Sequence, residues 1–109
     1  MEKIVECIDL WKKAHAPWAS STVGWALFRW LLNERGTANP LKSLHIGTGH
    51  TEPAVRSSLQ QFIKAGVIRI ESRDGDRRYR LVRTTAKFDL AVQRFAAILY
   101  ERAGIRPTT

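Results

Sequence analysis

The 109-residue chain has a single cysteine, Cys7, so no disulfide can form within it and a cross-linked scaffold is excluded. It also lacks a long apolar run. The longest stretch free of Lys, Arg, Asp and Glu, from Ala14 to Phe28, is interrupted by Pro17 and is shorter than the ~20 residues that cross a bilayer. No membrane partner is therefore expected. The opening Met1-Glu2-Lys3-Ile4-Val5-Glu6 lacks the basic start and small-residue cleavage site of a signal peptide. These absences together predict a reducing, cytoplasmic setting.

Catalytic and metal-binding patterns are missing as well. His15, His45 and His50 have neither a Cys-x-x-Cys nor a histidine at i, i+4, so no metal is expected. Gly47-Thr48-Gly49 has no following lysine and is not a nucleotide loop. No serine, threonine or cysteine stands in a nucleophile motif and no carboxylates pair beside a base, so neither an enzyme nor a cofactor is expected. Cys7, among Ile4, Val5, Ile8 and Trp11, reads as a small buried hydrophobe. Repeats and low-complexity segments are absent too.

What is present is a lopsided charge. Residues 1–34 hold four basic and four acidic side chains, whereas residues 35–109 hold fourteen basic and six acidic, so the whole net charge of +8 lies in the second part. A one-sided basic field concentrates polyanions around it. The 44% hydrophobic content is that of one ordinary folded domain, here residues 1–109.

Helical spacing of Ile4, Ile8 and Trp11 predicts a first helix ending before Pro17. A second helix, capped by Ser20 or Ser21, carries Val23, Ala26, Leu27, Trp30 and Leu31 and ends near Gly36. Asn39-Pro40 is expected to open a short third helix with Leu41 and Leu44 inward, interrupted by Gly47 and Gly49. Thr51 then caps a fourth helix, with Pro53 in its first turn and an apolar stripe of Val55, Leu59, Phe62 and Ile63 up to Gly66. The period next changes to alternation through residues 67–71 and 79–83 around Asp74-Gly75, a hairpin tip. Thr85 caps a last helix to Ala103, stopped by Gly104 and followed by a polar tail with Pro107. Of four tryptophans, more than one small core commonly needs, Trp30 is expected in the core and Trp11 and Trp18 at an interface.

Helix, short helix, glycine turn, helix and two-stranded hairpin is the order of a winged helix-turn-helix, a mainly α fold with a small β wing. Its second helix enters the major groove of duplex DNA, and Thr51, Glu52, Pro53, Arg56, Ser57 and Gln60 occupy the outward side of its leading end. Arg56 suits guanine or a phosphate, Gln60 adenine, and Glu52 a cytosine amino group. His50 beside this helix suits a phosphate or packing contact. The hairpin holds Arg69, Arg73, Arg77, Arg78, Arg80 and Arg83 in fifteen residues with no lysine at all. Arginine grips phosphates in two-pronged fashion and enters narrow minor grooves, so Arg69, Arg73, Arg77, Arg78 and Arg80 are candidate DNA contacts.

Asp76-Arg77-Arg78, Val82 and Thr85, with Val55, Leu59 and Gly66-Val67-Ile68 before them, resemble the wing and recognition helix of the MarR-like transcriptional regulators over residues 37–88. The resemblance implies that Arg78 reaches toward the minor groove, that Asp76 braces it, and that Thr85 caps a dimerisation helix. It further implies a DNA-binding core of residues 37–84 and dimerisation arms of residues 1–16 and 85–104. Ile4, Ile8, Trp11, Phe88, Val92, Phe95 and Leu99 would line a homodimer interface. The function expected is a sequence-specific, repressor-like regulator on a near-palindromic duplex site. Two other expectations stay open: a winged-helix component of a replication, partition or mobile-element complex, and a protein-interaction winged helix holding an acidic partner.

Overall fold

In the computed structural model of the chain, residues 2–34, 39–41, 43–73 and 76–105 are described, with the side chains of 39, 73 and 76–79 set aside. The expected end of the second helix at Gly36, the hairpin tip Asp74-Gly75 and the tail with Pro107 lie outside the described residues.

Helix α1 (Glu2–Ala14) has an acidic first turn at Glu2 and a basic last turn at Lys12 and Lys13, matching the helix dipole. Helix α2 (Thr22–Asn33) starts at the extended residue Ser21, whose hydroxyl accepts from the Gly24 backbone N–H at 2.9 Å. The helix cannot carry a side chain at Gly24. A Cβ there would lie 2.1 Å from the Trp18 carbonyl oxygen. Trp11, Phe28, Phe62, Phe88, Leu27, Leu31, Leu44 and Val82 form the fully buried centre, gathered from every part of the chain.

The expected third helix is displaced. Asn39–Pro40 forms a short strand, β1, antiparallel to β3 (Asp76–Thr84), with Asn39 opposite Val82 and Pro40 opposite Leu81. Pro40 has no N–H to donate, which suits an edge strand, and the next N–H, of Leu41, bonds the Arg80 carbonyl at 2.9 Å. Pairing with a distant strand thus overrides the local helix-start signal. Helix α3 begins later, spans Ser43–Thr48 and includes Gly47. A Cβ at Gly47 would sit 2.0 Å from Trp30 Nε1, so the glycine lets α3 close onto α2.

Helix α4 (Glu52–Ala65) ends at Gly66 in the left-handed conformation, φ 76°. The chain then runs into β2 (Ile68–Arg73), which pairs with β3, so the sheet order is β1-β3-β2 and the wing gains a third strand. Alternation puts Ile68 and Val82 inward, while Arg69 stands opposite Arg83 on the outer side. Helix α5 (Ala86–Ala103) lies along α1.

Two expectations about aromatic residues are corrected. Trp11 (0% exposed) and Trp18 (5%) are interior, not interface, residues. Trp11 Nε1 donates to the Ala91 carbonyl at 2.8 Å, and its ring meets Phe28, Phe95, His15, Trp18 and Trp25. Phe88, also 0% exposed, is likewise unable to touch a partner chain. Ile4, Ile8, Val92, Phe95 and Leu99 retain exposure on α1 and α5.

Candidate nucleic-acid interface

The turn between α3 and α4 is built locally. The Thr48 hydroxyl donates to the Leu44 carbonyl at 2.8 Å and accepts from the His50 N–H, and Gly49 takes φ 75°. Thr51 stands extended at the N-cap position without a side-chain cap bond; its carbonyl accepts from Val55 N–H at 3.0 Å.

Helical periodicity then divides α4. Val55, Ser58, Leu59 and Phe62 are buried, while Thr51, Glu52, Pro53, Arg56, Ser57 and Gln60 are all exposed along one side of the leading half. Ile63, expected inward, is 40% exposed at the rim of the buried stripe. Arg56 does not stand alone. Its Nη2 donates to Glu52 Oε1 at 2.8 Å, one helical turn away. Both side chains are about two-thirds exposed (68% and 64%), so this i, i+4 pair adds only about 0.3–0.5 kcal/mol to stability.

The wing is anchored to this helix through its base. Val67 N–H donates to the Phe62 carbonyl, Thr85 N–H to the Val67 carbonyl, and Thr85 Oγ1 to the Gly66 carbonyl at 2.6 Å. Thr85 therefore sits at the start of α5 as expected, but its hydroxyl ties α5 to the end of α4 instead of capping its own helix. The same three bonds fix the wing's angle to α4.

On the outer side of the hairpin, like charges face each other at Arg69 and Arg83. Such a pairing destabilises a sheet unless an opposite charge bridges it. Glu71 does so: Arg83 Nε donates to Oε2 at 2.6 Å and Arg69 Nε to Oε1 at 2.9 Å. The Arg83 hydrogen bond is the main cause of a Glu71 carboxyl held below its ordinary range; partial desolvation opposes it, and the Arg69 bond and both positive charges add to it.

Arg80 is exposed opposite Ser72, next to an irregularity between Ser72 and Arg73. The side chains of Arg73, Asp76, Arg77 and Arg78 lie outside the described residues, and so does the expected bracing of Arg78 by Asp76. The structure thus brings the α4 positions together and adds three ion pairs read from sequence only as separate charges. The i, i+4 spacing of Glu52 and Arg56 was a usable signal. That Glu71 reaches Arg83 as well as Arg69 depends on strand register.

No protein-family model and no curated protein matches this sequence. Solved structures do. A MarR-like transcription regulator from Bacillus cereus superposes with a TM-score of 0.56 at 18% identity, covering 96% of this chain and 80% of that one. BpsR of Bordetella bronchiseptica, whose DNA binding is regulated by 6-hydroxynicotinic acid, gives a TM-score of 0.58 at 18% identity over 94% of this chain and 73% of its own. The fold is that of the MarR-like winged-helix regulators. CouR of Rhodococcus jostii, bound to p-coumaroyl-CoA, matches with a TM-score of 0.58 at 15% identity, over 94% of this chain and 73% of that one. In the MarR-like arrangement α3 and α4 form the helix-turn-helix, β2 and β3 the wing, and α1 and α5 the packed terminal helices. Among the described residues no cluster of His, Cys, Asp or Glu could hold a metal ion, and no helix is long and apolar enough to cross a membrane.

Proposed function

We propose that this chain is a DNA-binding transcriptional regulator, with α4 in the major groove and the arginine wing against the backbone and minor groove. The observation that carries this reading is the exposed, mostly polar leading side of α4, fixed beside an arginine-rich hairpin in a MarR-like fold. Residues 37–84 serve as the DNA-binding core. Thr51, Glu52, Pro53, Arg56, Ser57 and Gln60 face base edges and flanking phosphates, and Arg69, Arg73, Arg77, Arg78 and Arg80 hold the backbone, with Arg78 in the minor groove braced by Asp76.

The chain acts as a homodimer through residues 1–16 and 85–104. Val5 (52% exposed), Leu90 (61%) and Tyr100 (50%) leave apolar surface on α1 and α5 that a second copy would cover, together with Ile4, Ile8, Val92, Phe95 and Leu99. Two-fold symmetry then places two α4 helices about one turn of DNA apart, on a near-palindromic site. Occupying such a site blocks other proteins from it, which makes repression the simplest outcome.

Titrating a fluorescently labelled duplex, with the mass of the complex measured by sedimentation, tests both parts. The expected result is saturable binding by two chains per duplex. Failure to bind any duplex removes the DNA reading, and a complex of one chain per duplex removes the dimer.

A further inference from the structure

The Glu52–Arg56 contact raises a question that stability does not answer, since an exposed ion pair on one helix contributes little to the fold. Nor does it suit phosphate gripping, because the carboxylate cancels the positive charge of Arg56 and repels the backbone. What the pair offers outward is a row of donors ending in an acceptor: the remaining guanidinium N–H groups and, 2.8 Å from Nη2, a carboxylate oxygen.

One base-pair edge has the complementary order. In the major groove a G·C pair displays the acceptors N7 and O6 of guanine and then the amino donor N4 of cytosine. O6 and N4 are hydrogen-bonded to each other in the base pair, hence about 2.9 Å apart. That spacing matches the separation of Arg56 Nη2 and Glu52 Oε1. An A·T pair opposes the unit twice, setting its amino donor against the guanidinium and its O4 acceptor against the carboxylate. A C·G pair presents the right groups in reverse order.

Resting on the DNA reading above, we propose that Glu52 and Arg56 act as one specificity unit that reads a single G·C base pair, Arg56 donating to guanine and Glu52 accepting from the paired cytosine. Glu52 is then both a base contact and the positioning residue for Arg56. Neighbouring Ser57 and Gln60 read or flank other positions.

The test is selection of bound fragments from random duplex DNA by the full chain, by Arg56→Ala and by Glu52→Ala, with thermal melting as a folding control. The wild type is expected to enrich G·C at one position per half-site. Both variants should lose that enrichment at the same position, by roughly 5- to 150-fold, with melting only slightly lowered because an exposed pair on one helix contributes little to stability. Placing N4-methylcytosine at that pair should weaken the wild type and leave Glu52→Ala unaffected. Loss of preference at different positions, or Glu52→Ala binding more tightly with preference intact, overturns the proposal, the latter by showing that Glu52 merely occupies Arg56. Wild-type binding without any base preference overturns it while the DNA reading stands; no duplex binding by the wild type overturns both.

Discussion

The terminal helices and the α4–wing side of this molecule use their side chains in opposite ways. Around Trp11, rings lie in direct contact, with centroids 4.3 Å from Phe28, 4.6 Å from His15 and 5.4 Å from Phe95, and the one polar atom of Trp11 is satisfied by a carbonyl. Along α4 and the hairpin, the prominent contacts are ionic and exposed: Glu52 with Arg56, and Glu71 with Arg69 and Arg83. Buried aromatic contacts hold a fold together, whereas exposed ion pairs add little to it and leave polar groups at the surface, open to a ligand. Damage to the first region should therefore be read in stability and damage to the second in binding.

The largest effect that could break this division is at Trp11. Trp11→Ala removes a wholly buried ring together with its hydrogen bond to the Ala91 carbonyl, so urea denaturation should show a loss of about 3–5 kcal/mol. A loss below about 1 kcal/mol would mean that the aromatic cluster does not hold the fold. Next comes Gly24→Ala, whose added methyl meets the Trp18 carbonyl rather than a movable side chain. We expect a loss on the order of 1–3 kcal/mol in the same measurement, with duplex binding intact under folding conditions.

Thr85→Val acts at the seam between the two regions. Losing the hydrogen bond to the Gly66 carbonyl should lower stability by about 0.5–1.5 kcal/mol and loosen the wing's angle to α4. Protection of the Val67 and Thr85 amides from hydrogen exchange should fall with it, and unchanged protection would show that the wing is held elsewhere.

Glu71 should give the smallest effect on stability. Its folded pKa is lowered, so its contribution is present above the unfolded carboxylate value and is lost as pH falls through the folded value. The difference in stability between wild type and Glu71→Gln should thus be visible at neutral pH and vanish in acid. At neutral pH the variant should bind duplex more tightly, because two arginines lose their bridging anion. Weaker binding would show instead that Glu71 orients both arginines for phosphates.

Much of this was legible in the order of residues. The Ser21, Gly66 and Gly104 boundaries follow from local chemistry, and the exposed α4 positions follow from a 3.6-residue period. What escaped depends on distant partners. Asn39-Pro40 looks like a helix start until β3 lies beside it, and Trp11 looks too large and polar for a small core until a carbonyl 80 residues away meets its indole N–H. Glu71 shares a face with Arg69 by alternation, but only register brings Arg83 to it.

That the arginine wing beside α4 grips duplex DNA through phosphates is checked by the affinity for one labelled duplex measured across salt concentrations. Log affinity should fall linearly with log salt, and Arg80→Ala should reduce the slope by about one unit with thermal melting unchanged. An affinity independent of salt, or a slope that Arg80→Ala leaves as it was, would show that the wing does not hold phosphates.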